Sequence, residues 1–444
     1  MRLLRFLFEV RTPVQRLPYA LAGASLMALK FALDALIVRA GIHRTWTPLS
    51  YLKPLAQGRM APDAALTTAA LVMLVTLPFL WTGLALTRRR ARDAGLPSWV
   101  ALLFLAPFLN YLVMAALCLL PSAKRGAGEE PNEPPDGWHG ALVGLASGVV
   151  YGLVMSLLSI HVFKRYGSAL FLGTPAAMGA MSAYFLNRAR ARSLRATFAS
   201  AALSVVVGGA VLMLFALEGA VCVAMVLPIA VAWSLVGALF GRAVARLHDT
   251  GTLPPAAASL LLLVLPFLAG FESRPAPLPL LEVASLVEID APPERVWPHV
   301  VGFSELPPER EWTFGIATPR RARIEGSGVG AVRYCEFSTG PFVEPITRWE
   351  PPRRLSFDVA SQPPPMKEWS PYRGVQPPHL DGYLRSRRGE FRLVPLAGGR
   401  TRLEGSTWYT LDLAPNFYWK LWSDALIGTI HHRVLAHVKA LSEQ

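Results

Sequence analysis

Residues Ser285–Val301 read SLVEIDAPPERVWPHVV. Leu286, Val287 and Ile289 read as a β-strand. Pro292 and Pro293 then open a helix, where the missing N–H costs nothing. Glu294 in its first turn suits the helix dipole, and Val296, Trp297, Val300 and Val301 give it an apolar stripe. The stretch is also a boundary. Before it the chain is a series of long apolar runs, and after it the text is that of a water-soluble α+β domain.

The 444 residues are 52% hydrophobic and 17% charged, a balance that points to several bilayer spans. The net charge of +14 does not read as a nucleic-acid surface. Its arginines sit in short clusters between apolar runs, as positive-inside loops do. Cys118, Cys222 and Cys335 form neither a disulfide framework nor a metal-ligand spacing. No metal and no cofactor is expected. The basic N-terminus lacks the apolar core and small-residue cleavage site of a secretory signal.

A span needs about 20 apolar residues. Leu17–Val38, Ala64–Leu86, Pro97–Leu120, Gly140–Phe163, Ser168–Leu186, Thr197–Leu217, Ala220–Phe240 and the run Ala256–Phe271 are the candidates, so seven or eight spans are expected. Lys30 and Asp34 share a helix face in the first and can pair. Pro107 and Asn110 interrupt the third, which is expected to be kinked or re-entrant. Gly144, Gly148 and Gly152 let another helix approach closely, from this chain or from a second copy. The expected organisation is a first membrane unit over 1–120, a Pro/Gly/Glu-rich linker over 121–139, a second membrane unit over 140–272, a short linker over 273–280 and a soluble domain over 281–444.

After the second span comes TRRRARDAGLPSW, Thr87–Trp99, and an echo appears at ARLHDTGTLPP, Ala245–Pro255. Arg90, Asp93 and Gly95 align with Arg246, Asp249 and Gly251, which reads as a divergent internal repeat. The Asp-x-Gly step suits a tight turn. RRRARDAG together with PSWVALLFLAPFLNYL resembles the bacterial inner-membrane domain-of-unknown-function family 805. That resemblance implies a multi-pass inner-membrane location and no chemistry. Eight plain crossings from a cytoplasmic N-terminus put Arg188–Arg195 and Arg242–Arg246 outside, against the positive-inside rule. If Ser168–Leu186 or the Pro107 region does not cross, both repeat turns become cytoplasmic and the soluble domain faces outward.

In the soluble part, strands are expected at Arg321–Glu325, Gly330–Phe337, Val343–Glu350, Arg354–Ala360, Gly389–Pro395 and Thr401–Leu413. A closing helix over Asn416–Leu441 is expected to bury Phe417, Leu421, Ala425, Ile430, Val434 and Val438. IDAPPERVW, Trp349 before Glu350-Pro351-Pro352, GGRTRLEGSTWY and HHRVLAHVKAL resemble the START-like, polyketide-cyclase (SRPBCC) superfamily. The resemblance covers Leu281–Gln444. It implies an α+β helix-grip fold, an antiparallel sheet wrapped around the long C-terminal helix with an apolar cavity between them. It transfers no catalytic motif, because its members bind lipids, sterols, polyketides or hormones, and some catalyse cyclisation.

Candidate residues come from strand faces. Thr407 and Tyr409 share the inner face of the last long strand. Tyr409 reads equally as a ligand contact or as a core tyrosine. Arg333 and Cys335 share a face. Cys335 reads as an inert buried thiol unless a base stands beside it. Glu344 would be costly if buried unpaired, and Arg333 is its natural partner. The insertion Gln362–Gly382 carries Trp369, Tyr372 and His379 and reads as a lid, a foot on the membrane or, equally, a solvated loop. Leu421 completes the expected cavity lining. Adjacent His431 and His432 read as a solvated or capping cluster. These features favour a non-enzymatic, membrane-anchored binder of a lipid, isoprenoid or quinone-like molecule. The rivals are a polyketide-cyclase-like enzyme and a sensory membrane protein whose soluble domain binds a protein.

Overall fold

The computed structural model describes residues 6–9, 12–47, 50–51, 63–96, 98–105, 109–123, 137–249, 255–274, 277–307, 315–372 and 375–444. The chain forms two compact units. One is Met1–Ser273 with Ser370–Pro377, and the other is Arg274–Trp369 with Pro378–Gln444.

The first unit is built from α1 (Arg16–Ile42), α2 (Asp63–Asp93), α3 (Leu109–Leu119), α4 (Gly137–Leu157), α5 (Thr174–Asn187), α6 (Leu194–Leu214), α7 (Ala220–Asp249) and α8 (Pro255–Glu272). Among the described residues, α1, α2 and α4 to α7 supply six helices long and apolar enough to cross a membrane. Of the eight candidate runs, Ala256–Phe271 (in α8) and Pro97–Leu120 are not among the six, and the second of these is broken. Its first part, Ser98–Leu105, is a 3-10 helix, and α3 has only 11 residues. Eleven residues span about 16 Å, half of the ~30 Å hydrocarbon core. Pro107 lies outside the described residues.

Both ends of that segment lie at the C-terminal end of α2. Arg90 Nε donates to the Leu117 carbonyl at 2.9 Å, and its Nη2 donates to the Leu120 carbonyl. The Ala123 N–H donates to the Asp93 carbonyl at 2.8 Å. The segment is therefore re-entrant. Arg90 caps carbonyls that α3 leaves unpaired at its end, and Asp93 holds Arg90 and the Ser122 hydroxyl. Gly95 takes φ +75°, which only glycine adopts freely. Among the described residues, the second copy of the motif shows no such contacts. Arg246 is exposed, Asp249 is the last residue of α7, and Gly251 lies outside the described residues. The next described element is the helix α8.

α8 runs between opposite faces of the bundle. At the end of α7, Arg242 donates to the Arg192 carbonyl, between α5 and α6. At the end of α8, the Glu272 carboxylate accepts the Ala169 N–H at 3.0 Å, in the π turn that leads into α5. The N-terminal half of α2 (Met73, Leu77) packs with the end of α6 (Leu212, Phe215). The arginine clusters at the ends of α2, α5 and α7 thus share one face, and Glu272 lies on the other.

Glycine sets the helix spacing. A Cβ at Gly140, Gly144 or Gly148 of α4 would run into the backbone carbonyls of Phe185, Ser182 or Met178 on α5. One at Gly237 or Gly241 of α7 would collide with those of Ala176 or Ala180. The four-residue glycine spacing in α4 is used within the chain. Lys30 pairs with the buried Asp34, whose Oδ2 also accepts the Tyr51 hydroxyl at 2.7 Å. In the Ser370–Pro377 segment, the Tyr372 hydroxyl donates to the Leu214 carbonyl at 2.8 Å.

The second unit begins with β1 (Leu281–Ile289) and α9 (Pro293–Val301), the elements read in the opening stretch. Next come β2 (Pro319–Glu325), β3 (Val332–Phe337), β4 (Gly340–Glu350), β5 (Arg354–Asp358), β6 (Leu384–Leu396), β7 (Arg400–Leu411) and α10 (Asn416–Ser442). All seven strands join one antiparallel sheet in the order β1-β7-β6-β5-β4-β3-β2. α10 touches both edge strands, β1 and β2, so the sheet must curl around it. Register shifts at Ile346/Arg348 and Ser386/Arg388 provide the bends. This is the helix-grip arrangement. Val296 and Val300 of α9 join Leu355, Leu393, Leu403, Val434, Leu435 and Val438 in the core, with Trp297 edge-on to Trp349.

Candidate functional site

The two-residue period of the strands sends a defined set of side chains to the concave face. Arg333 on β3 stands directly opposite Glu344 on β4. Arg333 is only 2% exposed and Glu344 is buried beside it, with Nη1 bonded to Oε2. Arg333 Nε donates to the Val301 carbonyl at the end of α9, 3.2 Å away. Around the guanidinium stand three rings, Phe357 at 5.4 Å, Phe391 at 5.6 Å and Phe303 at 5.7 Å. A buried cation faces aromatic π clouds on several sides, which offsets part of its lost hydration.

Burial works against the Arg333 charge, and the adjacent Glu344 outweighs it, so the guanidinium pKa stays above its ordinary value. Burial pushes the Glu344 carboxyl up against the opposing pull of Arg333. Cys335 shares the face, and burial, reinforced by Glu344, pushes its thiol up to about 12. A thiol held protonated is a poor nucleophile, which fits the inert reading of Cys335.

A second polar set joins α10 to the sheet. The buried Tyr409 hydroxyl donates to Asp424 Oδ1 at 2.5 Å, and Lys420 pairs with the same carboxylate. Burial and Asp424 both raise the Tyr409 pKa. Thr407 Oγ1 lies 2.8 Å from His431 Nε2, whose Nδ1 lies 3.3 Å from Ser285 Oγ. Burial lowers the His431 pKa to about 4, helped by His432. Thr407 and Tyr409 thus face α10 with their hydroxyls engaged. They lie three strands from Glu344, roughly 14 Å along the sheet. The concave face brings together Arg333, Glu344 and Cys335. It does not bring Tyr409 to them.

Leu421 is corrected. It is 66% exposed, and its neighbours Phe417 and Ala425 are exposed too. The inner side of α10 instead runs through Trp419, Ser423, Ile427, Val434, Leu435 and Val438. Polar residues that bond to the sheet (Asp424, His431) interrupt the apolar period on that side, so an apolar-stripe reading selects the wrong face. Trp369 is exposed, and His379 sits in the 3-10 turn Pro378–Leu380. Sequence reasoning misses Asp424 and the three phenylalanines, and it places His431 in a solvated cluster. The 3- and 4-residue spacing of Asp424, Ile427, His431, Val434, Leu435 and Val438 is the signal that could have found Asp424 and turned His431 inward.

Residues 281–443 match the family described as polyketide cyclase / dehydrase and lipid transport. The C-terminal unit has the helix-grip fold and is similar to that family over its length. Residues 7–128 match a family described only as a protein of unknown function, DUF805. The arrangement of six spanning-length helices with that match makes the chain a multi-pass membrane protein. No curated protein matches the chain. Among solved structures, it is similar to the Zhui aromatase/cyclase of Streptomyces sp. R1128, at 16% identity over 37% of this chain and 94% of that one, TM-score 0.27. It is also similar to norcoclaurine synthase of Thalictrum flavum, at 13% identity over 38% and 97%, TM-score 0.27. A protein of Nitrosospira multiformis aligns at 19% identity over 36% and 94%, TM-score 0.24.

Proposed function

We propose that this chain is a membrane-anchored binder of a hydrophobic molecule with one polar end, of lipid, isoprenoid or quinone type. The molecule would lie on the concave face between the sheet and α10. The observation that carries the reading is the Arg333–Glu344 pair inside the Phe303, Phe357 and Phe391 shell. A small number of fixed polar groups in an apolar surround is what orients an apolar ligand. The pair uses one guanidinium nitrogen and one carboxylate oxygen on each other. With Nε on the Val301 carbonyl and Cys335 also bonded to the guanidinium, a ligand carbonyl or hydroxyl would share the remaining donor positions and the other carboxylate oxygen.

An enzymatic reading needs a general acid or base beside the ligand. Tyr409 is committed to Asp424, Cys335 is held as a thiol and the Glu344 carboxylate is paired with Arg333, so binding is favoured over catalysis. By the positive-inside rule the shared arginine face is cytoplasmic. The chain then leaves the membrane at Glu272 on the outer face of the inner membrane. The test is solvent extraction and mass spectrometry of the full-length protein purified from membranes. A stoichiometric apolar molecule is expected, depleted in Arg333→Lys. A protein that purifies empty and takes up neither phospholipid nor quinone sinks the proposal.

A further inference from the structure

The first turns of α10 carry an apolar stripe that the sheet does not use. Phe417 is 68% exposed, Leu421 66% and Trp422 39%, and Ala425 is exposed as well. At offsets of four, five and eight residues they lie on one side of the helix. The other side of the same turns is occupied, because Trp419 and Ser423 are buried. Contiguous large apolar side chains left in water mark an interaction site.

The position of the stripe identifies its partner. β1 starts at Leu281, paired with Tyr409. β7 ends at Leu411, and α10 starts at Asn416. The stripe and the start of β1 therefore sit at the same end of the unit, and Leu280, half exposed, sits there too. That end is tied to the membrane. The apolar run of α8 closes at Glu272, and residues 273–280 reach at most roughly 30 Å when fully extended. Phe, Trp and Leu beside a lysine, here Lys420, are the residues that settle at a bilayer interface.

We infer that the Phe417–Leu421–Trp422 face of α10 inserts into the headgroup–acyl boundary of the leaflet where α8 emerges. The occupant is lipid, not a second copy, because residues 273–280 keep this end within their own short reach of the leaflet. The docking stands without the ligand reading. If both hold, an apolar molecule passes from the leaflet to the concave face without crossing water.

The test uses the full chain in phosphatidylethanolamine/phosphatidylglycerol liposomes, in a Cys118→Ala background (Cys222 and Cys335 are buried). An environment-sensitive fluorophore is placed at Phe417→Cys, at Leu421→Cys and, on the exposed last turns of the same helix, at Ala440→Cys. The expected result is blue-shifted emission at 417 and 421, lost to nitroxide-bearing lipids and insensitive to aqueous iodide, with the reverse at 440. Iodide quenching at 417 and 421 without nitroxide quenching overturns the inference. Protection from both quenchers with crosslinking between copies also overturns it, in favour of a protein interface. An empty protein that still shows lipid quenching at 417 and 421 refutes the ligand reading and leaves the docking intact.

Discussion

Replacing Arg333 with methionine is the sharpest perturbation of the concave face. Arg333→Met keeps the volume and removes the charge, leaving Glu344 buried among Phe303, Phe357 and Phe391 without its partner. Breaking a buried pair from one side costs about 3–5 kcal/mol. Removing both charges is different, since an apolar replacement of the whole pair is often neutral. Arg333→Met/Glu344→Leu should therefore recover to within about 1–2 kcal/mol of the parent, and the coupling between two directly facing residues should exceed about 1 kcal/mol. The assay is pulse proteolysis of the full chain in micelles across a urea series, following the fragment that contains residues 281–444. A loss below about 1 kcal/mol for Arg333→Met, as for an exposed pair, would refute the burial argument. So would a double variant whose cost is the sum of the two single ones.

Three further outcomes are expected. His431 has a pKa of about 4 in the folded unit against about 6.5 unfolded. The unfolded chain binds the proton first, so stability is fully present above about pH 6.5 and falls as pH drops towards 4. His431→Gln should flatten that slope in a urea series at several pH values. Gly428→Ala meets no atom within 4 Å and should stabilise α10 by about 0.5–1 kcal/mol, whereas Gly241→Leu should collide with the Ala180 carbonyl and abolish a monodisperse detergent-solubilised protein. Arg90→Gln should release the re-entrant segment and lower the melting temperature, and the exposed Arg246→Gln should leave it within error.

The opening stretch was legible because every local signal agreed. Its strand period, the proline pair and the acidic first turn all specify β1 and then α9. The Arg333–Glu344 pair was legible because a buried carboxylate needs a cation, and the strand period placed both inward. The face of α10 was not legible. Asp424 and His431 look like surface residues until Tyr409, Thr407 and Ser285, all distant in sequence, are brought to them. Which of its two expected forms, kinked or re-entrant, Pro97–Leu120 takes was not legible for a related reason. Composition sees apolarity in Pro97–Leu120, but the return of its end to Arg90 depends on contacts across 27 and 30 residues. The motif repeat was read from letters alone. Among the described residues, Arg90 precedes a segment that returns carbonyls to it, and Arg246 stands exposed.

The central claim is that the concave face holds an apolar molecule. It is tested most directly by loading the full chain in liposomes with a diazirine-bearing fatty acid and mapping the photo-adducts by peptide mass spectrometry. The account predicts adducts on concave-face residues of β3 to β6, at and around Phe357 and Phe391, reduced in Arg333→Lys. Adducts confined to the membrane helices and to Phe417–Trp422, with none on the concave face, would contradict it.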